Sequence, residues 1–170
     1  DEARTLAALV ASAYDEPEKV GIGIYELMLN AVEHGNLGIT YEEKSRLLAA
    51  GSWEEEIAHR LAMPEYAARH VTVEFDREPG SILLIIKDQG AGFDWRPYLD
   101  FTPERAFDTH GRGIAIAHRT CFTRLEYRGN GNEVTAVSER PENVKDGPLP
   151  IESGAVSCVG SHRLDKRVIS

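Results

Sequence analysis

Glu26, Asn30 and His34 recur every fourth residue in Glu26-Leu-Met-Leu-Asn30-Ala-Val-Glu-His34-Gly-Asn36, so a helix puts all three on one face. A side-chain amide offers Mg²⁺ a neutral oxygen, and that ion keeps several waters and takes few protein ligands. A carboxylate one turn away can activate a water or a hydroxyl for attack on a γ-phosphate. His34, at the end of the face, either joins that chemistry or caps the helix. Taken alone, the trio is as well explained by a solvated helix face with ordinary i,i+4 contacts.

Two glycine-bearing stretches follow. Asp88-Gln-Gly90-Ala-Gly92-Phe93 ends the apolar run 81–86. A carboxylate at that strand end can accept a hydrogen bond from the exocyclic amine of adenine and discriminate against guanine, which carries a carbonyl there. Gly90 and Gly92 let the backbone pass close to a base. His110-Gly111-Arg112-Gly113-Ile114 opens a helical pattern, where free backbone N–H groups favour phosphate and Arg112 adds positive charge. Neither a Walker A lysine signature nor a dinucleotide Gly-x-Gly-x-x-Gly is present. A phosphate grip here depends on Mg²⁺ and amides more than on a buried lysine. Asp-x-Gly is also a common turn and Gly-x-Gly a common hinge, so the specificity lies in the order of the three stretches.

The elements that must position these residues are legible from periodicity. Residues 2–14 place Leu6, Leu9, Val10 and Ala13 at helical spacing. A second helix runs from Pro17 to His34, with Val20, Ile24, Leu27, Met28 and Ala31 as its apolar stripe and Gly35 as its stop. Residues 36–70 are an inserted helical segment. Thr40-x-x-Glu43 and Ser52-x-x-Glu55 predict capped helices beginning near Tyr41 and Trp53, separated by Gly51 and ended by Pro64. Residues 71–75 alternate like a half-buried strand, whereas 81–86 predict a central strand buried on both faces. Residues 94–109, with Pro97 and Pro103, form a loop with a short helix at most. A helix over 114–120, a strand over 122–128, a Gly129-Asn-Gly131 hairpin turn and a partner strand over 133–137 complete the pattern. From Arg140 onward the prolines predict an extended tail.

Composition narrows the function. The chain of 170 residues suits one domain, and its 42% hydrophobic and 28% charged residues are those of a soluble globular protein. A net charge of −9 argues against nucleic acid as a partner. No stretch reaches the roughly 18 apolar residues of a membrane span. Cys121 and Cys158 lie far apart without metal-type spacing, as expected of a reduced, cytoplasmic protein. The opening Asp1-Glu2-Ala3-Arg4, without methionine, suggests an excised domain with a partner domain upstream.

In this order the three stretches resemble the N, G1 and G2 boxes of the GHKL (histidine kinase-like) ATP-binding superfamily. Their spacing resembles that of its small anti-sigma-factor serine/threonine kinases. The resemblance covers about residues 1–138, giving a domain over 1–139 and a tail over 140–170, with the 36–70 insertion longer than those compact kinases lead one to expect. It implies the Bergerat ATP-binding fold, an α/β two-layer sandwich with a mixed, mostly antiparallel sheet and helices on one face. It assigns Glu26 as general base, Asn30 as Mg²⁺ ligand and Asp88 as the adenine-binding acid. Gly90, Gly92, Phe93, Gly111, Arg112 and Gly113 fall in the nucleotide loops, His34 lies beside them, and Thr135 makes a water-mediated adenine contact. The lid lies between Asp94 and His110. The implied cofactors are ATP and Mg²⁺. The implied activity is phosphorylation of an anti-sigma-factor antagonist, with partner switching to a sigma factor. Two alternatives stay open: a regulatory ATP-binding module linked to a receiver or phosphatase domain, without turnover, and a histidine kinase catalytic domain. A homodimer is compatible with each.

Overall fold

The structure, a computed structural model, describes residues 2–100 and 111–139 and the backbone of 154–159 and 164–165. Helix α1 (Glu2–Ala11) buries Leu6, Ala7 and Val10 and packs along α2 (Pro17–Asn30). Pro17 sits in the first turn of α2, where the missing N–H has no intrahelical partner to lose. Val20, Ile24, Leu27 and Met28 then form the expected buried stripe.

That stripe faces a sheet ordered β3-β4-β2-β1-β5-β6, antiparallel at every described pairing. Its strands are β1 (His70–Glu78), β2 (Ser81–Lys87), β3 (Arg124–Arg128), β4 (Glu133–Glu139), β5 (Gly154–Val159) and β6 (Leu164–Asp165). Val71, Val73, Phe75, Leu125, Val134 and Ala136 meet the helices in one core. Burying each larger aliphatic contributes roughly 1.5–3 kcal/mol. The fold is thus the two-layer sandwich expected from the sequence. Strand β2 corrects one detail: Ile82, Leu84 and Ile86 are fully buried, but Leu83 and Ile85 only partly. The helices cover one face, so an unbroken apolar run does not mean burial on both.

The tail is more than an extended appendage. Residues 154–159 pair with β1 from His70↔Val159 to Phe75↔Gly154, and 164–165 pair with β5. They cover the backbone edge that β1 would otherwise present.

The insertion forms α3 (Tyr41–Ala50), α4 (Trp53–Ala62) and α5 (Pro64–Ala67). Thr40 caps α3 by accepting the Glu43 N–H at 3.1 Å, a bond of about 1 kcal/mol. Ser52 makes no such side-chain bond, so the second capping box does not form. None of these helices buries a residue fully; their attachment is polar. Arg60 bonds the Leu37 carbonyl at 2.9 Å, Glu56 at 2.7 Å and Glu43.

The second helix differs from expectation at its end. Regular α geometry stops at Asn30, and the chain continues through Gly35 as a π-helical turn, Ala31–Asn36, closed by the Leu37 N–H on the Val32 carbonyl at 2.8 Å. Gly35 is therefore no stop. It is needed for close approach: a Cβ there would overlap the Asp88 carboxyl group. A second π turn, Ala117–Cys121, follows α6 (Gly113–Ile116). Such turns are rare and concentrate at functional sites. Of the expected lid, a short 3-10 turn at Arg96–Tyr98 is seen; residues 101–110, His110 among them, lie outside the described residues. No helix among the described residues is long and apolar enough to cross a membrane.

Candidate functional site

A cleft of about 950 Å³ opens between α2 with its π turn, the inserted helices, the segment after β2 and the start of α6. It gathers Glu26, Asn30, His34, Gly92, Phe93, Gly111, Arg112 and Gly113. Residues far apart in sequence thus meet at one opening. Asp88 is not in its wall. It lies deeper, against a cavity of about 10 Å³ that shares Asn30 and Phe93 with the cleft. Gly90 and Thr135 line neither space.

Glu26 and the start of α6 are in direct apposition, because a Cβ on Gly113 would overlap a Glu26 carboxylate oxygen. Burial raises the Glu26 pKa, the nearby Glu33 charge raises it further, and Lys44 opposes both. A carboxylate tuned upward in this way is a better proton acceptor.

Asp88 is 5% exposed. Burial pushes its pKa up to about 6, against the Gly90 N–H, which donates to Oδ1 at 2.8 Å, and the more distant Arg69 charge. Gly90 also allows close approach, but to protein: a Cβ there would overlap the Gly35 carbonyl. Buried Asn36 locks the same junction by accepting the Gln89 N–H at 2.8 Å, while Gln89 Oε1 accepts the His70 N–H at 2.8 Å. The buried Thr135 Oγ1 has no hydrogen-bond partner among the described residues. An orphaned hydroxyl of this kind costs about 1–3 kcal/mol.

His34 Nδ1 lies 2.5 Å from the Ile39 carbonyl. A carbonyl only accepts, so Nδ1 carries the proton and Nε2 keeps its lone pair. Burial lowers the pKa of the ring, which is neutral near pH 7. Asn30 is hydrogen-bonded to the Tyr127 hydroxyl. That hydroxyl has its pKa raised by burial and by the neighbouring Asp88 charge. Tyr127 in turn belongs to an aromatic cluster, with Phe93 edge-on at 5.6 Å and Trp95 stacked at 5.5 Å.

Two further residues in the cleft lie outside the set that the sequence motifs single out. Glu33 is 1% exposed, and its Oε2 accepts from Lys44 Nζ at 2.6 Å. Glu33 stands seven residues after Glu26 and three after Asn30, so helical geometry already places it beside them, but in sequence it reads equally as part of a solvated face. Lys44 reaches it from α3, and no periodicity in a polar helix marks one lysine among several. Removing one member of such a buried pair typically costs about 3–5 kcal/mol.

A model of the histidine kinase-like ATPase domain matches residues 2–138. The chain belongs to that family. No characterised protein and no solved structure gives a significant match. As a histidine kinase-like ATPase domain, the chain is an ATP-binding, kinase-like module, and three of its features fit a nucleotide. The cleft is of small-molecule size, a buried carboxylate lies behind it on a small cavity that shares Asn30 and Phe93 with the cleft, and Thr135, on the strand paired with the one that leads to that carboxylate, has a hydroxyl without a partner among the described residues.

Proposed function

We propose that this domain is an ATP- and Mg²⁺-dependent serine/threonine protein kinase of the anti-sigma-factor type. Its substrate is an anti-sigma-factor antagonist, and phosphorylation decides whether the domain holds the antagonist or a sigma factor. The observation that carries the reading is the apposition of Glu26 with Gly113, which supports a base standing beside the amides that receive phosphate.

Bound Mg-ATP supplies the transferable phosphoryl group. Glu26 accepts the proton of the acceptor hydroxyl as its oxygen bonds to the γ-phosphorus and the bond to the β-phosphate oxygen breaks. Asn30 gives the metal its neutral oxygen. The ion's other ligands would be phosphate oxygens and water. Amides at Gly111 to Gly113 receive phosphate oxygens, Arg112 adds charge, and Asp88 accepts from the adenine amine with Thr135 beside it. His34 and Phe93 border the base, and Gly90 and Gly92 shape the loop that holds it.

One observation favours a second reading, a regulatory ATP-binding module without turnover. Asn30, the proposed metal ligand, is engaged by the Tyr127 hydroxyl. Incubation with γ-labelled ATP and candidate antagonist proteins distinguishes the two. Transfer of label to a serine or threonine, lost in Glu26→Gln, supports the kinase. Tight ATP binding with no transfer to any antagonist supports the module.

A further inference from the structure

Among the described residues the charged groups lining the cleft are five carboxylates (Glu26, Glu33, Glu42, Glu65, Asp94) and three cations (Lys44, Arg69, Arg112). That balance repels a triphosphate, so the positions of the cations matter. Arg112 is exposed. Arg69 is committed elsewhere, donating to the Asn36 carbonyl at 2.6 Å and lying over the Tyr66 ring at 5.0 Å. Lys44 is different: its side chain is 15% exposed, and its charge is felt at Glu26.

Packing does not account for its inward course. Helix α3 buries no residue fully, so no core draws it against the cleft. What meets Lys44 is polar and aromatic: Glu33 Oε2 at 2.6 Å and the Trp53 ring at 5.7 Å from Nζ. Glu33 itself is nearly inaccessible, and its second oxygen has no partner among the described residues. A carboxylate desolvated there is costly unless it is paired, and Lys44 is the pairing group. The carboxylate holds the lysine extended into the cleft. An ammonium has three N–H donors, and the bond to Glu33 uses one.

We propose that Lys44, delivered by the inserted helix α3 and aimed by Glu33, is a phosphate-binding residue of the nucleotide site. The insertion is then part of that site. This inference rests on the ATP-binding reading above. It adds to the amide-and-metal grip a direct charge contact, made by an element outside the three boxes.

The test compares Mg-ATP and adenosine in calorimetric titrations of the whole chain, its Lys44→Ala variant and the double variant Glu33→Gln/Lys44→Gln. The double variant leaves no stranded carboxylate and guards against simple unfolding. Adenosine has the base but no phosphate. The expected result is Mg-ATP affinity lower by at least about tenfold in both variants, with adenosine affinity unchanged. Equal Mg-ATP affinity in all three proteins overturns the role of Lys44 while leaving the ATP reading intact. Parallel loss of Mg-ATP and adenosine overturns it too, since that marks a structural part only. No Mg-ATP binding by the unaltered chain overturns both readings.

Discussion

Gly113 and Glu26 meet so closely that the glycine cannot accept even a methyl group without displacing the carboxylate. The start of α6 and the middle of α2 are therefore one unit, and the proposed base is positioned by the same residue that begins the proposed phosphate cradle. Gly113→Ala is expected to lower phosphoryl transfer by about 10²-fold or more, the effect of a misplacement near 1 Å. Steady-state transfer rates, read beside unchanged circular dichroism, check it.

Asn30→Ala is expected to weaken Mg²⁺-dependent ATP binding while leaving the fold intact, because Asn30 is only partly buried. Tyr127→Phe makes the complementary case. It frees Asn30 from its hydroxyl partner, so Mg-ATP binding is expected to be unchanged or tighter. Calorimetry on the two variants reads both. An Asn30→Ala protein that binds Mg-ATP as well as the unaltered chain contradicts the metal assignment.

The raised pKa of Asp88 gives a pH signature with a definite sign. Its folded value of about 6 lies above the ordinary 3.8. Between those values the native chain binds more protons than the unfolded one, and this group's contribution to stability falls as pH rises through the window. Asp88→Asn removes the buried charge and keeps an oxygen for the Gly90 N–H. It is expected to stabilise the nucleotide-free domain by about 1–3 kcal/mol near pH 8, a gain that disappears toward pH 4. The same change is expected to erase the preference for ATP over GTP. Urea denaturation at the two pH values and competitive nucleotide titration check the two halves separately.

Thr135→Val removes a buried hydroxyl that has no partner among the described residues, with little change of shape. The nucleotide-free domain is expected to gain about 1 kcal/mol, visible as a higher thermal midpoint. If ATP recruits that hydroxyl, as proposed, the extra stabilisation conferred by ATP is expected to be smaller in the variant. A valine protein that is less stable without nucleotide contradicts the orphan assignment.

Much of the fold was readable because local signals and tertiary packing agreed. Thr40 and the residues after it specify a helix start, and α3 begins at Tyr41. The stripe from Val20 to Met28 specifies a buried face, and it packs on the sheet. The failures came where packing overrode a local rule. Gly35 has the features of a helix stop, yet its missing side chain serves the approach of Asp88, and the helix passes through it as a π turn. Glu33 shares the face of Glu26 at i+7, but nothing in the sequence separates a buried, lysine-paired glutamate from a solvated one. Lys44 was illegible for another reason. Its importance comes from where the insertion folds back, and a polar helix without a buried stripe gives no hint of that. Strands β5 and β6 lie among prolines and glycines, and they pair with an edge far away in sequence.

The most direct test of the account is calorimetric titration of the purified domain with ATP, with and without Mg²⁺, and with GTP as control. The account predicts Mg²⁺-dependent binding of ATP and much weaker binding of GTP, since Asp88 is proposed to recognise an amine and Asn30 a metal. Absence of ATP binding at millimolar concentration, or equal binding of ATP and GTP, contradicts it.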